Sequence, residues 1–360
     1  MKKFPYISFN AGPTHVSDKV MNALREVVDA RVFSMSHRSK EFSELSERAI
    51  EGLRKQMKIP KDYHIFYQNS STVAWDTVLQ NVVDKQSFHF VCGEFSSRFH
   101  QTGEKLRLNA RKYETPSGHA VKWEQAPITD KDELVCITHN ETRSGLMWPQ
   151  EVLKQIREKY PQQLIAIDVC SSFGAMKMNW SDADIWLGSV QKGLTMPAGL
   201  AYLIVNPRAF ERALKLNKSI PSWHKFEVMR DMMKVYQIYE TPNAILIALL
   251  AKLMEDWNLE EIDAETKRKA QLIYGADLNW VPQVKDPAWQ SLTSTIFDVD
   301  NAEKWHKLAE AKGYQLGKCF GPCAENAIRI CNFPSHTYEM FENLIEALKA
   351  ESKIKQYTGR

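Results

Sequence analysis

A chain of 360 residues exceeds one minimal domain and points to roughly two. Hydrophobic residues at 44% and charged residues at 25% are globular values, which allow a large buried core and exclude extended disorder. Lys+Arg 47 against Asp+Glu 44 leaves a net charge of +3, so no electrostatic case exists for nucleic acid or an anionic membrane surface.

The chain opens on MKKFPYISFNAGPTHV, which has two lysines but no apolar run long enough for a signal peptide. No later stretch approaches about 18 consecutive apolar residues, so no membrane span is expected. Strand-like runs follow at HIFYQ (64–68), FHFVCG (88–93), LVCITHN (134–140), LIAIDVC (164–170), IWLGSV (185–190) and LAYLIV (200–205). Between them, TVAWDTVLQNVVDK, SSRFHQTGEKL and WPQEVLKQIREKY have helical patterns; in the last, Trp148, Val152, Ile156 and Tyr160 keep to one face. Strands alternating with helices predict a mostly parallel sheet covered on both sides. Only QKGLTMPAG separates the last two strands, too short for a helical crossover, so that pair is expected to be antiparallel neighbours.

From about residue 250 the rhythm changes. LLAKLMEDWNLEEIDAETKRKAQLIYGADL reads as one long helix, followed by strand-like STIFDVD and AIRICNF and by helices NAEKWHKLAEAKG and TYEMFENLIEALKAE. The expected fold class is α/β: a large domain with a mostly parallel sheet flanked by helices, over 15–253, plus a smaller C-terminal α+β domain. The smaller domain takes residues 254–360 together with the N-terminal segment 1–14.

Cys92, Cys136 and Cys170 sit in apolar strand-like runs, where cysteine behaves as a small hydrophobe. Cys319 and Cys323 are close, but no second Cys or His pair nearby completes a zinc site, and no metal is expected. Reduced thiols and a cytoplasmic address are the simpler reading.

In open α/β sheets ligands gather outside the carboxyl ends of the strands. After HIFYQ come Asn69, Ser70, Ser71 and Thr72, hydroxyl residues that either cap a helix or leave N–H groups for an anion. No GxGxxG and no GxxxxGK[ST] occurs, which disfavours a dinucleotide or P-loop nucleotide site. Asp168, between Ile167 and Val169, would be expensive to bury without a cationic partner, and a protonated pyridinium nitrogen is one. Lys192 lies at the end of the next strand in SVQKG, an apolar, glycine-punctuated stretch. Alone it reads as a solvated turn residue. Paired with Asp168 it reads as a Schiff-base lysine, because pyridoxal phosphate needs both groups.

With FNAGPTHV, SMSHRSKEF, HNET, IDVCSSF, SVQKG, YETPNA and AIRICNFP in this order, the chain resembles the class V aminotransferases, pyridoxal-phosphate enzymes of fold type I, and among them the phosphoserine-utilising family. The resemblance implies that Lys192 holds pyridoxal 5'-phosphate as a Schiff base and shuttles the proton, and that Asp168 keeps its ring nitrogen protonated. It implies that Phe95 stacks on the ring, that Thr142 bonds the phenolic oxygen, and that Ser71, Thr72 and Gln191 hold the phosphate. Thr241 would contribute from a second subunit of a homodimer with shared active sites. Arg329 would receive the α-carboxylate, for which a planar fork is suited, and His37 and Arg38 would help to bind a distal phosphate.

The implied reaction interconverts O-phospho-L-serine and 2-oxoglutarate with 3-phosphohydroxypyruvate and L-glutamate, a step of serine biosynthesis. One departure bears on the substrate. Many relatives have a His-Arg pair shortly before the carboxylate arginine, whereas here LGKCFGPCAENAIRI has none, with Lys318 as a possible substitute and Glu240 standing where an Asn is common. A serine or alanine aminotransferase using glyoxylate or pyruvate therefore stays open. A cysteine desulfurase using Cys319 or Cys323, and a non-catalytic cofactor-binding protein, are the alternatives from other classes.

Overall fold

A computed structural model describes residues 4–319 and 324–357. Its larger sheet has seven strands in the order 64–68, 201–205, 185–189, 164–168, 134–138, 86–91, 109–114. All neighbours among the last five are parallel. The Ala201–Val205 strand runs antiparallel to both Ile185–Ser189 and His64–Gln68, as the short 191–199 connection requires.

Side chains alternate across this sheet with a period of two. Val135, Ile137, Ile165, Ile167 and Trp186 pack into one apolar cluster. Their sequence neighbours Leu134, Cys136, Leu164, Ala166 and Leu187 pack into a second one. Both faces are covered, which explains why these strands read as continuous apolar runs.

The edge strand Asn109–Glu114 was not anticipated. It carries Arg111, Lys112 and Glu114, is exposed or half-buried throughout, and pairs only with Gln86–Val91. Charged side chains on a one-sided strand protect an edge and erase the apolar signal. The expected single helix from 249 is also two helices, Ala244–Leu253 and Leu259–Tyr274. Asn258 ends the break by accepting a bond from the Glu261 N–H, an N-cap that interrupts the apolar period.

A second sheet has the order 7–9, 314–318, 327–331, 294–298, 281–282. Ile7–Phe9 pairs in parallel with Tyr314–Lys318, so the N-terminus is woven into the C-terminal sheet. From there the chain passes the carboxyl edge of the larger sheet, where the Thr14 N–H donates to the Gln191 carbonyl at 3.1 Å. Within Ala327–Cys331, Ile328 and Ile330 enter the local apolar core, and Arg329 between them faces the other way.

Candidate active site

Three parallel strands end side by side. Thr138 is paired with Asp168 and Asp168 with Leu187, so the residues beyond Thr138, Asp168 and Ser189 share one edge. The Ser71–Val82 helix starts at the same edge. Ser70 caps it by accepting from the Val73 N–H, and the Ser71 N–H donates to Ser189 Oγ at 2.9 Å. A cavity of about 270 Å³ opens here, lined by Ser71, Thr72, Phe95, Asp168, Gln191 and Lys192 among others. All six are residues singled out from sequence.

Asp168 is 4% exposed. Its Oδ2 accepts from Trp75 Nε1 at 2.8 Å, and its Oδ1 accepts from the Cys170 N–H at 2.8 Å. Burial raises its pKa above the usual carboxylate value, against the opposing pull of those donors and of Lys192. No ion pair engages it among the described residues. Lys192, 8% exposed, donates to Ser171 Oγ at 2.9 Å, and its Nζ lies 4.9 Å from the centroid of the Phe95 ring. The next residue must be glycine: a Cβ on Gly193 would stand 2.0 Å from the Phe173 carbonyl oxygen. That close approach sets the lysine loop against the loop following Asp168.

An adjoining cavity of about 390 Å³ is lined by Phe95, Thr142, Lys192 and Arg329, together with Arg98 and Arg143. Arg329 donates from Nη1 to the Thr142 carbonyl and from Nη2 to the Lys318 carbonyl, both at 2.9 Å, while its buried Nε has no partner. Lys318 itself is exposed at the strand end. Cys319 lines a different cleft, and Cys323 lies outside the described residues.

His37, Arg38 and Thr241 do not line either cavity. Arg38 is exposed and donates to the Ile238 and Tyr239 carbonyls at 2.7 and 3.0 Å, which places it two residues from the exposed Thr241. The sequence reading thus separates into two groups, one around Lys192 and one on the surface at 37–38 and 238–241. Glu240 accepts a bond from Asn69 Nδ2 at 3.1 Å, beside the start of the Ser71 helix.

Several site residues escaped the sequence reading. Glu141 is wholly buried and accepts from the Phe95 and Ser96 N–H groups and from Ser96 Oγ, at 3.0–3.1 Å. It thereby holds the first turn of the Glu94–Lys105 helix, which carries Phe95. Gly93 makes room for it, since a Cβ there would lie 2.1 Å from Glu141 Cγ. Asn140 donates to Thr293 Oγ1 at 2.7 Å, and Thr293 Oγ1 in turn donates to the Ser171 carbonyl at 2.6 Å, tying the lysine's partner to the second sheet. Thr138 contributes a buried, unpartnered Oγ1 to the lining. Asn140 and Glu141 stand within HNET, a motif read for Thr142 alone, whereas Gly93 and Thr138 have no local signature.

The aminotransferase class-V family model matches residues 6–311. The chain belongs to the class-V aminotransferases. A phosphoserine aminotransferase of known structure from Cytophaga hutchinsonii is 32% identical to it, with a TM-score of 0.94 over 97% of this chain and 99% of that one. A phosphoserine aminotransferase from Rhodococcus opacus is 26% identical over 363 residues, covering 94% of this chain and 93% of its own length. The alanine–glyoxylate aminotransferase of Nostoc sp., 16% identical over 97% of this chain and 96% of that one with a TM-score of 0.80, shares the fold.

This class-V aminotransferase is therefore a transaminase of the fold type I architecture expected from its motifs. Pyridoxal phosphate is the cofactor of the family, and the cavity suits it. Asp168 is a buried carboxylate awaiting a cation, which a protonated ring nitrogen supplies. Lys192 is held by a hydroxyl and not by a carboxylate, so its nitrogen is not committed to an ion pair. The hydroxyl-rich helix start at Ser70–Thr72 is a place for the phosphate.

Proposed function

We propose that the chain interconverts O-phospho-L-serine and 2-oxoglutarate with 3-phosphohydroxypyruvate and L-glutamate. The observation that carries the amino-acid transaminase part of this reading is Arg329: a guanidinium anchored by two backbone carbonyls, with a buried Nε lacking a partner, in the cavity that Lys192 also lines. The Cytophaga and Rhodococcus relatives named for phosphoserine support the substrate.

When bound, pyridoxal phosphate supplies an aldehyde that takes up the substrate's amino group and a cationic ring that withdraws electrons from Cα. Asp168 keeps the ring nitrogen protonated; its own two bonds, from Trp75 and Cys170, fix the carboxylate's orientation. With the cofactor bound, Lys192 Nζ would take the proton from Cα and return it to the carbon on the far side of the amino nitrogen, and Ser171, which accepts a hydrogen bond from Nζ, would help to orient it. Phe95, on the helix that Glu141 pins, would cover the ring. Thr142 would bond the phenolic oxygen, and Ser71, Thr72 and Gln191 would hold the phosphate. Arg329 would receive the α-carboxylate in the cavity that Lys192 also lines.

The enzyme works as a cytoplasmic homodimer. Thr241 completes the phosphate site of a second copy, and His37 with Arg38 reaches the distal phosphate there, which accounts for the distance of these three from Lys192 in their own chain. The cofactor site belongs to a large domain over 15–253; residues 254–360 with 1–14 form the smaller one.

Turnover of phosphoserine, serine and alanine with 2-oxoglutarate, glyoxylate and pyruvate tests the assignment. A preference for phosphoserine with 2-oxoglutarate is expected. Equal or better turnover of serine or alanine with glyoxylate or pyruvate would instead establish the second reading, which the absent His-Arg pair before Arg329 favours.

A further inference from the structure

The cavity next to Lys192 is more basic than one carboxylate requires. Four cationic side chains line it, those of Arg98, Arg143, Lys192 and Arg329, against one carboxylate, Glu94. Arg329 is assigned to the α-carboxylate and Lys192 to the amine. Arg98 and Arg143 have no role in that scheme, and neither was singled out from the sequence.

Their arrangement is specific. Glu94 Oε1 accepts from Arg98 Nε at 2.9 Å, and Glu94 Oε2 pairs with Arg143 Nη1, so a single carboxylate spans two guanidinium groups that come from different elements. Arg98 also lies over the Phe95 ring, 5.7 Å from its centroid. Arg143 follows Thr142, whose carbonyl anchors Arg329, so the same short segment sets the positions of both arginines. Glu94 and Arg143 additionally line a cleft of about 680 Å³ beyond, which makes the ion pair the boundary between the inner cavity and that cleft. The pair is one-third exposed, accessible to a ligand entering from the cleft.

We propose that Arg98 and Arg143, bridged by Glu94, form a second anion subsite that shares with His37 and Arg38 of a second copy the distal acidic group of the amino- and keto-acid substrates. It would take the place of the His-Arg pair missing before Arg329. The shared ligand chemistry is an acidic group, carboxylate or phosphate, at the far end of an α-amino or α-keto acid. A guanidinium presents five N–H donors in a fixed fork, and Glu94 engages Arg98 through only the one on Nε. Glu94 holds the two forks apart and balances part of their charge until an incoming anion shares or replaces it. A neutral side chain would leave the bridge intact and gain nothing from it, which is how the subsite would discriminate.

This inference rests on the reading of Arg329 as the α-carboxylate receptor, and the test separates the two. In the holoenzyme, the first half-reaction is followed through the cofactor's absorbance with glutamate, phosphoserine, serine and alanine. Binding of glutarate and of inorganic phosphate is measured by calorimetry. Arg143→Gln and Arg98→Gln are each expected to lower the kcat/KM ratios of glutamate over alanine and of phosphoserine over serine about 10–100-fold, the range for a lost hydrogen bond to a charged group. Glutarate binding should weaken in parallel, and Arg143→Lys should recover part of the loss.

A fall confined to phosphoserine and inorganic phosphate assigns the subsite to phosphate; a fall for both acids assigns it to acidic groups in general. Unchanged ratios in variants that retain the cofactor's absorbance would overturn the proposal, as would equal losses for acidic and neutral substrates. Arg329→Gln should instead depress all four substrates together. If it does not, the α-carboxylate assignment fails whatever Arg98 and Arg143 do.

Discussion

Glu141 offers the sharpest test of how this scaffold positions the Phe95 ring that lines the cavity. Its carboxylate is wholly buried and accepts from two backbone N–H groups, of Phe95 and Ser96, and from Ser96 Oγ. Glu141→Ala leaves both backbone donors unpaired at a helix start. At about 1–3 kcal/mol for each buried donor left unsatisfied, the loss is about 2–6 kcal/mol. Glu141→Gln behaves differently, because Oε2 alone accepts from all three donors, and an amide oxygen can take its place. Glutamine forfeits the attraction of a negative charge to the helix N-terminus, about 0.3–2 kcal/mol, but avoids the larger cost of burying that charge.

The two variants also differ with pH. Burial raises the Glu141 pKa above the usual glutamate value, against the pull of its donors and of Lys192. A raised folded-state pKa means that the stability contributed by this group is full below the unfolded value and is lost as pH rises through the folded one. Glutamine cannot titrate, so the advantage of wild type over Glu141→Gln should be largest in acid and shrink toward neutrality. Denaturant midpoints of the two variants across that range, with the circular dichroism of the bound cofactor as a report on Phe95, measure both effects. Equal destabilisation by alanine and glutamine, or a wild-type advantage that grows with pH, would refute the account of Glu141 as an acceptor that pins the Phe95 turn.

Lys192→Ala should abolish the cofactor's Schiff-base absorbance while leaving the far-ultraviolet circular dichroism unchanged; retention of that band would remove Lys192 from its role. Gly193→Ala forces a Cβ to within 2.0 Å of the Phe173 carbonyl, and since a backbone atom cannot swing aside, cofactor affinity should fall at least tenfold, as titration with pyridoxal phosphate would show. Asp168→Asn should weaken cofactor binding about tenfold or more by removing the ring's counter-charge. It should also abolish the loss of stability that the wild-type apoprotein shows as pH rises through the raised Asp168 pKa, read from apoprotein denaturation at several pH values.

The larger sheet was legible because its strands are buried on both faces, so continuous apolar runs marked them without help from tertiary context. The antiparallel turn of Ala201–Val205 followed from connection length alone. Asn109–Glu114 was invisible for the converse reason: an exposed edge strand is stabilised by its partner's backbone and selected for charge. The break at Met254–Asn258 did leave a trace, an Asn followed three residues later by Glu261 at a helix start, but the apolar residues on either side outweighed it.

At the site, legibility followed the kind of bond each residue makes. Asp168 and Lys192 stood out because each is a charge in an apolar run, a placement that a solvent-exposed loop does not need. Arg98 pairs with Glu94 four positions away on one helix, but Glu94, Glu141 and Arg143 are charges among other charged and polar residues whose significance lies in partners 45 to 49 positions away, as Glu141 with Ser96 and Arg143 with Glu94. No local pattern encodes such pairs; only the folding of the Glu94 helix against the Asn140–Thr142 segment creates them. Substrate choice in this chain is accordingly expected to reside in residues that the motifs do not contain. The family resemblance implies where the cofactor's nitrogen, ring and phosphate would lie. In the proposed arrangement the acidic end of the substrate would meet a surface assembled from two distant stretches, and the absence of a His-Arg pair before Arg329 is compatible with an acidic substrate if that surface supplies the missing charge.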